Sequence, residues 1–275
     1  MKTNGNVTGS KPVEGDGFPP LLVIVLDGKG GVSKSVISGA VVFGFETLGE
    51  VMAKFDTDTT NSTLTAMYED ARLIDVHKAD WSAPITYAIS QIGNDGVSRM
   101  LLIDTGARDE AKIKERLPLI ATKMAAVGGR LLVIRPITTS NFAQTNAIEF
   151  AMSTANTDIG VVFMRVVAQG RTEDDFDEWL ALSARKAALA AGAVDTFISD
   201  LGVKHADNAV AYGLSFVDVA MGRFEKCGED ENRARKDFNP EIQGWFMDWL
   251  DDQTQRWLPA FRQALRNREK AKAKP

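Results

Sequence analysis

The stretch Asp27-Gly28-Lys29-Gly30-Gly31-Val32-Ser33-Lys34-Ser35 combines small residues, two lysines and a closing hydroxyl, directly after the apolar run Leu21–Leu26. Small residues let successive backbone N–H groups curl inward and donate to anionic oxygens. A helix opening at the end of the loop adds its positive dipole end. This chemistry suits a polyphosphate, with Lys34 reaching the β- and γ-phosphates and the Ser35 hydroxyl available to Mg2+. Ser33 stands where the general pattern G-x-x-x-x-G-K-[ST] has its last glycine. If that position needs φ > 0, its Cβ is a strain, so altered nucleotide handling with the site retained is expected.

Two further apolar runs end in acids. Val51–Phe55 leads into Asp56-Thr57-Asp58-Thr59-Thr60, and Met100–Ile103 into Asp104-Thr105-Gly106. A carboxylate at a strand end beside a phosphate loop can accept a proton or hold a water, while direct phosphate binding is unfavourable. An acid after the third run suits Mg2+ or a water on it. Gly106 leaves the following loop free to swing.

The positioning elements follow from the periodicity. Leu21–Leu26, Val51–Phe55, Met100–Ile103, Leu131–Ile134, Ile159–Met164 and Thr196–Ser199 read as strands buried on both faces. Helical patterns lie between them. One runs over Ser35–Leu48, another through Ile85, Ile89 and Ile92, and a third through Ala143, Ala147, Phe150 and Ala151. Thr172 with Asp175 reads as a capping box, followed at helical spacing by Phe176, Leu180, Ser183 and Ala187. Alternation of this kind predicts an α/β fold, a doubly wound and mainly parallel sheet with helices on both faces, Rossmann-like. Ligands of such sheets bind at the carboxyl ends of the strands, where the loop and the acids stand.

GKGGVSKS resembles the deviant Walker A box, K-G-G-x-x-K-[ST], of the ParA/MinD superfamily of ATPases, which partition plasmids, place division sites or serve conjugative transfer. The resemblance covers about residues 21–199 and implies a P-loop NTPase fold with ATP and Mg2+ as cofactors. It implies a nucleotide cradle of Gly28, Lys29, Gly30, Gly31, Val32, Ser33, Lys34 and Ser35, with Ser35, Asp56 and Asp104 at the metal. It also implies that Lys29 reaches across an ATP-dependent homodimer to the partner's nucleotide, and that Asp58 orients the attacking water. A second cation near the β/γ bridge stabilises charge developing in transfer. Thr59-Thr60 replace the Pro-Gln usual after the second acid, and Met164-Arg165 stand where the family often has an adenine-reading Asn. The expected partners are nonspecific DNA and a plasmid-encoded adaptor or DNA-binding protein.

Composition sets bounds on these readings. The 275 residues, 44% hydrophobic and 25% charged, can bury a large core. With 32 Lys+Arg against 37 Asp+Glu the net charge is −5, so nucleic-acid contact requires a local basic patch. One cysteine and two histidines exclude an internal disulfide and a structural zinc site of the usual kind. The expected organisation is a polar lead-in over 1–20, a single domain over 21–265 with a helical C-terminal part, and a basic tail over 266–275. The lead-in has no apolar core, which predicts a cytoplasmic protein. Trp245, Phe246, Trp249, Leu250, Trp257, Leu258, Phe261 and Leu265 form an aromatic stripe interrupted by Pro259. Asp248, Asp251 and Asp252 flank it, so docking on the sheet is expected and membrane attachment is not. Two rivals remain: a small-molecule ATP-dependent ligase or kinase on the same fold, against which Lys29 argues, and a nucleotide-binding module with little hydrolysis.

Overall fold

The computed structural model describes residues 17–272 apart from Gly30, Val32, Asp95 and Gln169. The strands are β1 (Leu21–Val25), β2 (Met52–Asp56), β3 (Arg72–Leu73), β4 (Met100–Asp104), β5 (Arg130–Ile137), β6 (Ile159–Val167) and β7 (Val194–Ser199). They form one seven-stranded sheet in the order β3-β2-β4-β1-β5-β6-β7. Every pairing is parallel. β1 lies between β4 and β5, so the loop leaving it opens at the crevice where the winding reverses.

The helices are α1 (Lys34–Thr47), α2 (Thr63–Met67), α3 (Ala83–Ser90), α4 (Glu110–Ala126), α5 (Asn141–Ser153), α6 (Asp177–Ala181), α7 (Ser183–Ala190), α8 (Val203–Ala211), α9 (Phe216–Ala220), α10 (Glu231–Asp237) and α11 (Pro240–Lys272). Alternation along each strand feeds two cores. Leu21, Val23 and Val25 of β1, with Met100 and Leu102 of β4, pack towards α1, α9 and α11. Leu22, Ile24, Leu101 and Ile103 pack towards α3, α4 and α5. A period of two on a sheet covered on both sides requires both layers to be apolar.

The aromatic stripe docks on the sheet. Phe246, Trp249, Leu250, Trp257 and Phe261 are buried, while Trp245 stays 38% exposed. Pro259 does not interrupt the helix, which runs through it as α11. Proline removes one N–H and crowds the preceding turn, a cost that burial of this face outweighs. Arg268, expected in a basic tail, is buried on α11 and donates from Nη1 to the carbonyls of Ala155 (2.6 Å) and Ala191 (3.0 Å). The lead-in expected over 1–20 falls mostly outside the described residues, but its Phe18 is buried against Phe45 at a ring distance of 5.2 Å.

One expected helix is broken. Asp175 accepts from the Thr172 N–H at 2.7 Å, one half of a capping box, but the Thr172 hydroxyl donates to the same carboxylate at 3.2 Å, and the chain turns through a short 3-10 segment and breaks again at Leu182 between α6 and α7. Phe176, Trp179 and Ala188 are the buried residues there, and Ser183 and Ala187 are exposed. The indole N–H of Trp179 reaches Asp195 on β7 at 2.8 Å, a tertiary anchor invisible to local periodicity.

Candidate functional site

The loop after β1 closes on itself. The Lys34 ammonium donates to the Lys29 carbonyl at 2.9 Å, and the Lys29 N–H donates to Asp27 Oδ1 at 2.7 Å. Lys34 is buried and Lys29 is exposed. Burial lowers the Lys34 pKa, while Asp104, Asp27, Asp58 and Asp109 hold it up. Gly30 and Val32 lie outside the described residues. Gly31 has φ 70°, and Ser33, the N-cap of α1, has φ 61° and ψ 27°. Among the described residues Ser33 is the only non-glycine with positive φ. The position therefore demands the left-handed conformation, at a cost of about 1 kcal/mol for an L side chain.

Asp104 ends β4 facing α1. It is 3% exposed, and its Oδ1 has no hydrogen-bond partner. Burial pushes its carboxyl up to about 7; Asp56 adds to the rise, while Ser35 and Lys34 oppose it. A buried carboxylate oxygen left unpaired beside a serine hydroxyl is a hard oxygen set that fits Mg2+, which keeps most of its waters and takes few protein ligands. Among the described residues no group of three or more acidic, histidine or cysteine side chains gathers as a metal cage.

The two acids at the end of β2 play different parts. Both oxygens of Asp56 are taken: Oδ1 accepts the Asp58 N–H (2.9 Å), and Oδ2 accepts the Leu64 and Thr65 N–H groups (3.0 and 3.2 Å) at the start of α2. Asp56 thus caps α2 and orients Asp58. Burial raises its carboxyl to about 6 against those hydrogen bonds. Asp58 lines the cavity, and its Oδ1 accepts the Thr60 and Asn61 N–H groups at 3.0 and 2.9 Å.

The end of the loop and Asp58 share a cavity of about 790 Å3, while Asp56 and Asp104 are buried outside its lining. Gly31, Ser33, Lys34, Ser35 and Asp58 form its polar end, and Val166, Ile198, Leu201, Val210 and Phe216 its apolar wall. Met164 and Arg165 do not line it. Met164 is buried in the core, and Arg165 pairs with Asp195 at 2.9 Å across β6 and β7. The wall comes instead from the ends of β6 and β7, the loop after β7, and α8 and α9. Sequence reasoning missed Thr57, His77 and Asp109. Thr57 Oγ1 donates to Asp109 Oδ2 at 2.6 Å, and His77 stands 3.9 Å from Asp109 Oδ1. Thr57 is flanked by the two flagged acids, but only the fold brings residue 109 to it.

No family model matches the chain, and no curated protein matches it significantly. Several solved structures are similar. The MinC:MinD cell division complex of Aquifex aeolicus is 16% identical, covering 78% of this chain and 94% of that one, with a TM-score of 0.46. A plasmid partition protein of Borrelia burgdorferi is 12% identical, covering 70% and 97%, with a TM-score of 0.40. An McdA variant of Cyanothece in complex with ATP is 13% identical, covering 80% and 97%, with a TM-score of 0.41. The parallel sheet order, with a phosphate-type loop leaving its central strand, makes this an α/β fold of the P-loop NTPase kind, and on its motif residues the chain is similar to the ParA/MinD superfamily.

Proposed function

We propose that the chain is a Mg2+-ATP-dependent, dimerising switch ATPase of the ParA/MinD type, serving plasmid partition or stability or conjugative transfer. One observation carries the reading: the buried Lys34 ammonium, at the polar end of the cavity, and the Asp104 carboxylate, with its unpartnered oxygen, come together with Ser35 at the loop after the central strand. In this reading Gly28 to Ser35 cradle the polyphosphate, and Lys34 exchanges the Lys29 carbonyl for phosphate oxygens. Ser35 and Asp104 hold the metal, with Asp56 behind Asp58 as its support. When bound, Mg2+ neutralises charge on the β- and γ-phosphates. Lys29, exposed at the loop, reaches the nucleotide of a second copy, and Asp58 holds the water. Nonspecific DNA and a plasmid-encoded adaptor are the proposed partners; among the described residues no helix is long and apolar enough to cross a membrane.

The test is size in solution with ATP, with ADP and without nucleotide, for wild type, Lys34→Ala and Lys29→Ala. Wild type should shift towards dimer with ATP alone and neither variant should follow; a wild type indifferent to ATP ends the switch reading. Binding to nonspecific duplex should fall steeply with salt. A second reading, a nucleotide-holding module with little turnover, draws on the strained Ser33 and on the hydrogen bonds that already occupy Asp58. It requires that Lys34→Ala abolish function while Asp58→Ala leaves turnover unchanged.

A further inference from the structure

Beneath the loop lies a set of buried charges that neither the motif nor the metal uses. Arg135 on β5 is fully buried, and its Nη1 donates to Glu110 Oε1 at 2.7 Å. Its Nε and Nη2 have no hydrogen-bond partner, and the guanidinium lies over the Phe150 ring at 5.4 Å. Glu110, the first residue of α4, also takes the Lys114 ammonium on Oε1 at 2.6 Å. Its other oxygen presses on the loop: a Cβ built on Gly28 would meet Glu110 Oε2 at 2.5 Å. On the other side of Gly28, Asp27 is 3% exposed and fastens the Lys29 N–H. A buried arginine with two idle nitrogens is a poor device for stability, since apolar side chains in its place are often as good or better. Two carboxylates beside a phosphate loop also oppose anion binding unless balanced, and Arg135 and Lys114 balance them.

We infer that Glu110 is a positioning residue of the phosphate loop. Anchored by Arg135 and Lys114, its carboxylate sets the place of Gly28 and, with Asp27, the direction in which Lys29 leaves the strand. A glutamate free to rotate would yield to a new methyl group on Gly28. This one has its Oε1 held by two cations, so the loop and the start of α4 fit together as one surface. The inference rests on the nucleotide-binding reading above.

The experiment is a double-mutant cycle on affinity for a fluorescent, non-hydrolysable ATP analogue with Mg2+, using wild type, Gly28→Ala, Glu110→Ala and the pair. Each single variant should bind about tenfold more weakly, and the pair also about tenfold, because removing Glu110 removes both the support and the obstacle. Losses that multiply to about a hundredfold, or no loss in the single variants, overturn the inference. A merely structural glutamate would lower the melting temperature without this non-additivity. Should Glu110→Ala not fold, Glu110→Gln decides: it keeps an oxygen for Arg135 and should bind about threefold more weakly while folded, whereas wild-type affinity in the folded variant overturns the inference. A wild type that takes up no nucleotide fells the nucleotide reading and this inference with it; uptake with a multiplicative cycle fells this inference alone.

Discussion

Thr57 and Asp109 are joined by a 2.6 Å hydrogen bond from hydroxyl to carboxylate, and the same Asp109 oxygen takes the Gly106 N–H at 3.1 Å. The loop after β2 is thereby tied to the loop after β4, on the floor of the cavity. A Cβ on Gly106 would collide with Asp109 Oδ2, so this close approach requires glycine for space. Thr57→Val removes the hydroxyl and leaves a buried carboxylate short of a donor. It should destabilise the fold by about 1–3 kcal/mol in chemical denaturation, and Thr57→Ser should restore most of the loss.

Ser33→Gly relieves the left-handed backbone at the N-cap of α1. The variant should gain up to about 1 kcal/mol of stability, less whatever glycine loses through the freer unfolded chain. Nucleotide affinity should rise or stay level. Ser33→Val, β-branched at φ 61°, should fold poorly, and a Val variant as stable as wild type would refute the strain.

Glu110 makes stability depend on pH in a defined direction. Burial works against its ionised form, but Arg135 and Lys114 outweigh it and hold the carboxyl below its usual value. A depressed carboxyl adds stability above the unfolded value of about 4.3 and loses it as pH falls through the folded value. The stability gap between wild type and Glu110→Gln, followed by urea unfolding, should therefore be widest near neutrality and narrow below about pH 4. A gap that widens on acidification would contradict the pairing.

Asp104→Asn separates metal handling from folding. The buried Oδ1 accepts no hydrogen bond within the fold. The variant should melt at or above the wild-type temperature at pH 8, because an amide avoids the cost of a buried carboxylate. Nucleotide affinity should lose its dependence on added Mg2+. Retained Mg2+ dependence would remove Asp104 from the metal.

The contact between α1 and α11 is close enough to test by volume. Gly44 lies so near the Trp257 ring that a Cβ would overlap it. Gly44→Ala should cost about 1–3 kcal/mol by overpacking, and Trp257→Ala about 3–5 kcal/mol by cavity formation. Both are read from denaturant midpoints.

Short-range chemistry carried most of the core machinery. The loop from Asp27 to Ser35, the acids at 56, 58 and 104, and the strands that end in them are each legible within a few residues, because backbone donors, turn conformation and strand periodicity are local properties. The left-handed demand at residue 33 was likewise posed by the motif and answered by φ 61°. Long-range packing decided the rest. Arg135 meets Glu110 across 25 residues and Thr57 meets Asp109 across 52. The fold also turned Arg165 towards Asp195 and away from the cavity, carried α11 unbroken through Pro259, and split the helix expected after Thr172. A buried charge must find its partner wherever the winding of the sheet delivers one, and an apolar helix face outweighs a local break once enough surface is removed from water. Such partners are set by how the strands are ordered, so no window along the chain contains them.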